Sequence, residues 1–420
     1  MDNYNFKSHI KSEIESAVNY YDTEFSASRV STLNYYLGEP FGNEVDNRSS
    51  VVATEVSDTI EYIMPSIMKI FSSSSEFVRF AGRNREDIEA AKQASDLVNF
   101  VINNSNNGFK ILHNFFKDSL LFKIGAVKFY WHETETVKDE EYSDLTETEL
   151  TLLLEDDAVE IVSQEMTEVG ELDETGVEQP IEQTYSVQIK RRISNGQVKI
   201  DNIPPEELIF SRRATSLEDC DFISHRTQVP AGTLIEQGYD KDLVMSLASS
   251  HGLDDEAERQ QRFQEISSSP HSGSSDPSMQ EVLVTECYIK CDYDNDNIAE
   301  LRRVVTLGEA CDIVENEPFE KVPFALLSPI LMPHRMVGRS VAELVMDLQK
   351  IKSTIMRQMI DNLYLTNNNR VAVVEGQVNL DDLLTSRPGG IVRMRSPGMV
   401  QPLAVPQLTS QAFNMLEYVD

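Results

Sequence analysis

The sequence predicts an α+β fold: a helical N-terminal part, an antiparallel sheet, a long helix and a small α/β module after it. Three observations predict it. The first 130 residues carry apolar side chains at helical spacing, with a sheet beginning only at their end. The middle carries successive short runs of strand-forming residues joined by turn signals, which favours antiparallel pairing over βαβ units. Residues 340–367 then hold one unbroken helical pattern.

In chain order, Ile10, Ile14, Ala17, Val18 and Tyr21 share one face of a helix over 8–36, ended by Gly38, Pro40 and Gly42. A second helix starts near Val51, and Pro65 is expected to interrupt it before Ile67, Met68, Ile70 and Phe71. Phe77, Val78 and Phe80 read as a short strand. Helices follow at 85–102 and 108–122, then a strand at 126–131.

Residues 133–184 differ in kind. They hold 19 Asp and Glu against one basic residue, Lys138, so they supply −18 of the chain's −33. Such a charge run predicts a solvated, mobile insertion with one short helix, opened by the capping box Thr146/Glu149. An acidic wall facing DNA is the functional alternative.

Strands are predicted at 184–193 and 197–200, joined as a hairpin at Asn195-Gly196. Further strands are read at 208–210 and 221–228, and helices at 231–237 and 242–247. Residues 249–279 turn to Ser, Gly, Pro and charge, a flexible loop. A hairpin at 282–290 and 298–307 encloses Asp292, Asp294 and Asp296.

The long helix opens on Ser340, with Glu343 three residues later as a capping pair. Val341, Leu344, Val345, Leu348, Ile351, Ile355, Met359 and Leu363 form its main apolar stripe, and Met346, Met356, Ile360 and Tyr364 flank it. At 1.5 Å per residue the rod is roughly 40 Å long. A helix apolar on two sides needs neighbours on both. Either one large domain encloses it, or identical chains stand beside it as staves of a barrel. Beyond it, short strands at 370–375 and 390–395 flank a small helix capped by Asn379. Arg370, Arg387, Arg393 and Arg395 outnumber Glu375, Asp381 and Asp382 in this otherwise acidic chain. A last helix starts near Leu408, and its apolar stripe runs to Asp420 without a stop signal, as in a chain cut short.

Little chemistry is written here. Asp292, Asp294 and Asp296 have the opening spacing of a calcium loop, but Asn297 replaces its Gly and Arg303 its final Glu. Cys287 and Cys291 lack a second pair for zinc. There is no Walker A loop and no nucleophile elbow. The expectation is no enzyme, no catalytic residue, no cofactor and no metal. Four cysteines imply a reduced setting, and the run 324–332 is too short to span a membrane. A net charge of −33 repels phosphate backbones, which excludes a conventional DNA-binding surface.

Gly338 through Met394, with VGRSVAELVMDLQKIKSTIMRQMIDNLYLTNN and EGQVNLDDLLTSRPGGIVRM, resembles the portal proteins of tailed bacteriophages and prophages. EYIMPSIMKIF, PPEELIFSRRAT and DYDNDNIAELRRV resemble the same family. The resemblance implies a dodecameric ring at one capsid vertex of the virion, assembled in the host bacterial cytoplasm. Double-stranded DNA would enter and leave through its channel without sequence-specific contacts. It implies a wing at 1–335, including the 133–184 insertion and the 249–279 loop. A stem helix at 336–368, a clip at 369–406 and the start of a second stem helix at 407–420 would follow, the chain being truncated there. The stripe Val341 to Leu363 would pack the ring. The clip arginines Arg370, Arg387, Arg393 and Arg395 would meet the terminase large subunit, then a head-completion adaptor. Major capsid and scaffolding proteins are the other implied partners. The alternatives are another head–tail adaptor, or a metal-dependent DNA-processing enzyme using Asp292, Asp294 and Asp296.

Overall fold

The computed structural model describes residues 3–72, 76–154, 156, 158–169, 182–247, 276–368, 370–385, 389–404 and 410–419. Arg387 and most of the expected loop at 249–279 lie outside them. The chain is 42% helix and 28% strand, with antiparallel sheets, so the predicted α+β class holds. It divides into two compact units, Met1–Ser74 with Lys110–Val127 and Asn202–Asp420, and Ser75–Phe109 with Lys128–Asp201.

In the first unit, α1 (Asn3–Tyr21) and α2 (Ala27–Leu37) make one rod interrupted by a wider π turn at Asp22–Ser26. Gly38 ends it in the left-handed conformation, its N–H returning to Tyr35 O. Phe6, Ile10, Ile14, Ala17 and Tyr21 recur every three or four residues and are buried. They pack on a five-stranded sheet, ordered β4 (Leu208–Phe210), β5 (Phe222–Pro230), β6 (Glu281–Cys291), β7 (Glu300–Leu307), β8 (Asp312–Pro318). Cys287 on β6 lies opposite Val304 on β7, both in that core. The expected hairpin is therefore present, and β8, which the sequence reading missed, extends it.

A second core joins Val56, Ile60, Met64 and Met68 of α3 (Glu55–Ser72) to Phe116, Leu120 and Leu121 of α5 (Gly108–Phe122). Pro65 does not interrupt α3 as expected. Its ring is on the exposed side, and burying four large side chains at about 1.5–3 kcal/mol each outweighs the ~3 kcal/mol of one interior proline. Two short helices, α7 (Ala231–Glu236) and α8 (Lys241–Leu247), cover Val282 and Leu307.

In the second unit, α4 (Ile88–Phe100) buries Ser95 and Asn99 while leaving Ile88, Leu97 and Phe100 exposed. Residues 77–80 are not the strand that was expected. Their amides bond to a helix instead: Phe77 N and Val78 N donate to Asn99 Oδ1 at 2.7 and 3.1 Å, and Phe80 N to Ser95 Oγ at 2.9 Å. The Asn99 amide returns a bond to Val78 O at 2.8 Å, so one carboxamide imitates a neighbouring strand.

The acidic insertion is folded where it is described. β1 (Gly125–Leu145), β2 (Val159–Val169) and β3 (Glu182–Ile203) are long strands, with β3 between the other two. The short helix α6 (Glu147–Leu154) lays Leu150 on Val187 and Ile189. Its capping box forms as predicted: Thr146 N donates to Glu149 at 2.9 Å, and Glu149 N to Thr146 Oγ1 at 3.4 Å. The hairpin at Asn195-Gly196 does not form. Both residues lie inside continuous β3, and the glycine serves a close approach, since a Cβ there would meet Trp131 Cζ2 at 2.1 Å.

After β9 (Phe324–Leu327) comes the long helix α9 (Val341–Asn367). The terminal module pairs β10 (Val371–Val373) with β11 (Val400–Pro402), and the second strand expected at 390–395 does not form. That stretch contributes only a bridge, Val378 to Met394. The helix α10 (Leu380–Leu384) carries the predicted Asn379 cap, and α11 (Ser410–Val419) lies alongside α9.

Candidate interaction surfaces on the long helix and terminal module

Ser340 caps α9 as its sequence predicts, accepting Glu343 N at 3.1 Å. The Glu343 carboxylate reaches outward to Lys123 and Arg339, at 3.3 and 3.4 Å. Gly338 is required just before it, because a Cβ there would sit 1.9 Å from Ile330 O.

The helix is packed the opposite way to an ordinary amphipathic one. Only its start is anchored in an apolar core: Ala342 is a member, and Val341, Val345 and Met346 pack against it. Beyond that, the buried side is polar. Gln349 and Ser353 are fully enclosed, and Arg357 nearly so. Gln349 accepts Val56 N at 2.9 Å and donates to Tyr35 O at 2.9 Å. Ser353 Oγ accepts Ala53 N at 2.9 Å. Arg357 donates to Val51 O at 2.7 Å, Asn43 Oδ1 at 2.9 Å and Glu44 at 2.6 Å, and stacks over the Phe41 ring. Asp361 accepts Ser49 N at 2.7 Å. Burial pushes the Glu44 carboxyl up, but hydrogen bonds from its own backbone, Arg357 and the Phe41 amide outweigh this and hold it below the ordinary range.

The apolar stripe faces away from this ridge. Leu344, Leu348, Ile351 and Leu363 are 47, 44, 41 and 58% exposed, while Ile355 and Met359 are half-buried. Ile351 and Ser353 are two positions apart, hence about 200° apart around the axis. One meets solvent and the other is enclosed. Of the flanking line, Ile360 and Tyr364 are also exposed. Of the eight predicted stripe residues, the chain itself therefore half-covers Val341, Val345, Ile355 and Met359 and leaves the other four exposed. The residues sequence reading missed are Gln349, Ser353, Arg357 and Asp361. Their signal was present: polar side chains at strict i+4 spacing form one ridge on a helix.

In the terminal module, Arg393 is held by Asp382 through two bonds of 2.6 and 3.0 Å, so its charge is neutralised within the module. Arg370 and Arg395 are exposed, and their backbones tie the module together through Leu403 N to Arg370 O and Arg395 N to Gln377 O. The four arginines are not brought into one described cluster, since Arg387 lies outside the described residues.

Asp292, Asp294 and Asp296 place carboxylate oxygens within 4.8 Å of one another. Those oxygens cap the turn: Asp292 accepts Asn295 N, Asp296 N and Asn297 N at 2.7, 3.1 and 2.9 Å, and Asp296 accepts Ile298 N at 2.7 Å. Asn295 and Asn297 adopt positive φ, as such a turn needs. Arg303 is committed elsewhere, to Glu286 and Glu315 at 2.9 and 2.8 Å. Cys287 and Cys291 lie buried on β6, and burial raises both thiols, against the thiolate that metal binding requires. Among the described residues, no helix is long and apolar enough to cross a membrane.

No curated protein matches the chain. The family model described as "Phage SU10 portal protein" matches residues 6–420, which include the long helix and the terminal module. The chain belongs to the phage SU10 portal protein family.

Proposed function

We propose that the chain is one subunit of a closed ring of like chains at a capsid vertex, the head-to-tail connector through which double-stranded DNA is packaged and ejected. One observation carries this reading: α9 satisfies its polar ridge inside the chain and leaves Leu344, Leu348, Ile351 and Leu363 to solvent. Each is about half exposed, so covering the rest would contribute on the order of 1 kcal/mol apiece, and identical helices standing side by side do so without a new fold. The net charge of −33 suits a conduit, because each lysine or arginine gripping a phosphate would add salt-dependent drag. The role is structural rather than catalytic, with twelve subunits the expected number. The terminal module would serve as the clip that meets the terminase large subunit during packaging and a head-completion adaptor afterwards. Major capsid and scaffolding proteins would surround the ring.

Negative-stain microscopy of the purified protein tests the reading, with rings the expected image. Leu348→Asp combined with Ile351→Asp should abolish them while leaving circular dichroism and the melting curve of the single chain in place. A protein that stays monomeric at micromolar concentration, or rings indifferent to both aspartates, would overturn it.

A further inference from the structure

Residues 39–54 contain no helix or strand, sixteen residues in a row inside a compact unit. Segments of that length without regular structure are uncommon and tend to be functional. None of the four apolar cores includes any of them. What holds the segment is polar, and most of it comes from one helix. Asn43, Glu44 and Val51 converge on Arg357, Ser49 N on Asp361, and Ala53 N on Ser353. Lys352 adds an ion pair to Glu55, where α3 begins. Phe41 supplies the aromatic contacts, to Tyr35 at 4.8 Å and under the Arg357 guanidinium.

We propose that residues 39–54 are a latch that opens independently of the apolar cores, with Arg357 as its bolt. Closed, it covers the polar ridge of α9 and fixes that helix to the α2–α3 pair. Open, it strips the ridge of its partners from Ser353 onward, while Ala342, Val345 and Met346 stay in the apolar core. The two halves of α9 are thus held by different physics. Its start is held by hydrophobic burial, and its middle by hydrogen bonds, the strongest of them charge-assisted. Removing Arg357 releases four strap residues at once, since one guanidinium contacts Phe41, Asn43, Glu44 and Val51. This inference concerns the single chain and holds whether or not copies form a ring.

Hydrogen exchange of the purified protein tests it, because two amides of the segment report the closed state: Ser49 N and Ala53 N each end on an α9 side chain. In Arg357→Met, which keeps an aliphatic stem, exchange at Ser49 and Ala53 should rise at least about tenfold while the β6 and β7 amides keep theirs. Glu44→Gln, which removes one charge and disturbs no core, should give a smaller rise in the same amides. Equal loosening of β6 and β7 would make Arg357 a mere stability residue and overturn the proposal. Unchanged exchange at Ser49 and Ala53 in both variants would overturn it too. If Arg357→Met fails to fold, Glu44→Gln decides alone, by the same two criteria.

Discussion

Trp131 lies across Gly196, one strand over, so closely that no side chain fits between them. The ring is 59% exposed on its other side, so the glycine is its floor rather than part of a buried core. It is also the only tryptophan in the chain. Gly196→Ala should therefore force the ring away and destabilise the β1–β3 pairing by about 1–3 kcal/mol, the usual range for overpacking. Tryptophan emission reports the displacement without interference from another ring. Unaltered emission and unaltered melting would show that the ring shifts at no cost.

Asn99 supplies three bonds to the backbone at 77–78. Asn99→Leu keeps the volume and removes every one of them. Two amides and a carbonyl would lose their partners, at about 1–3 kcal/mol for each group that stays enclosed. Limited proteolysis should cut between residues 76 and 82 much faster in the variant. Equal cutting rates would mean that water substitutes for the carboxamide.

Arg393 is bound to Asp382, so reversing its charge would place two acids together and disturb the module itself. Arg370 and Arg395 carry no such complication, as they are exposed. Arg370→Glu with Arg395→Glu should weaken capture of the terminase or adaptor in a pull-down while rings still assemble. Undiminished capture would move the docking surface elsewhere on the module.

The Glu44 carboxyl sits below its ordinary value of 4.5 through bonds donated by its own backbone, Arg357 and the Phe41 amide. A depressed acid contributes stability above its unfolded value and loses it as pH falls through the folded one. Exchange at Ser49 and Ala53 should accordingly be flat from neutrality to about pH 5 and accelerate below 4.5, after correction for intrinsic rates. Glu44→Gln should flatten that profile. The Lys352–Glu55 pair and Asp361 line the same side of α9, so any acid response that survives in Glu44→Gln belongs to them.

Much of the fold was legible because local signals agreed with the tertiary outcome. Ser340, Thr146 and Asn379 all cap as their spacing implies. The misses share a cause: a local rule was overridden by packing or by a side chain from outside the residues that carry the rule. Asn195-Gly196 reads as a turn until Trp131 is placed above it. Pro65 reads as a break until four buried neighbours keep α3 intact. Residues 77–80 read as a strand, but their partner is a helix side chain. On α9, apolar periodicity could not say which face the chain keeps for itself. That was decided by polar side chains, whose partners at 35, 43–44 and 49–56 lie some 300 residues away.

The ridge from Gln349 to Arg357 also determines how α9 is rolled about its own axis. Each bond would break if the rod turned by even one residue's angle, so the oily side has a fixed heading in the lone molecule. A second chain arriving there would meet a surface already aimed at it. Joining would then be limited by collision and alignment rather than by rearrangement, as expected where the backbone barely changes on contact.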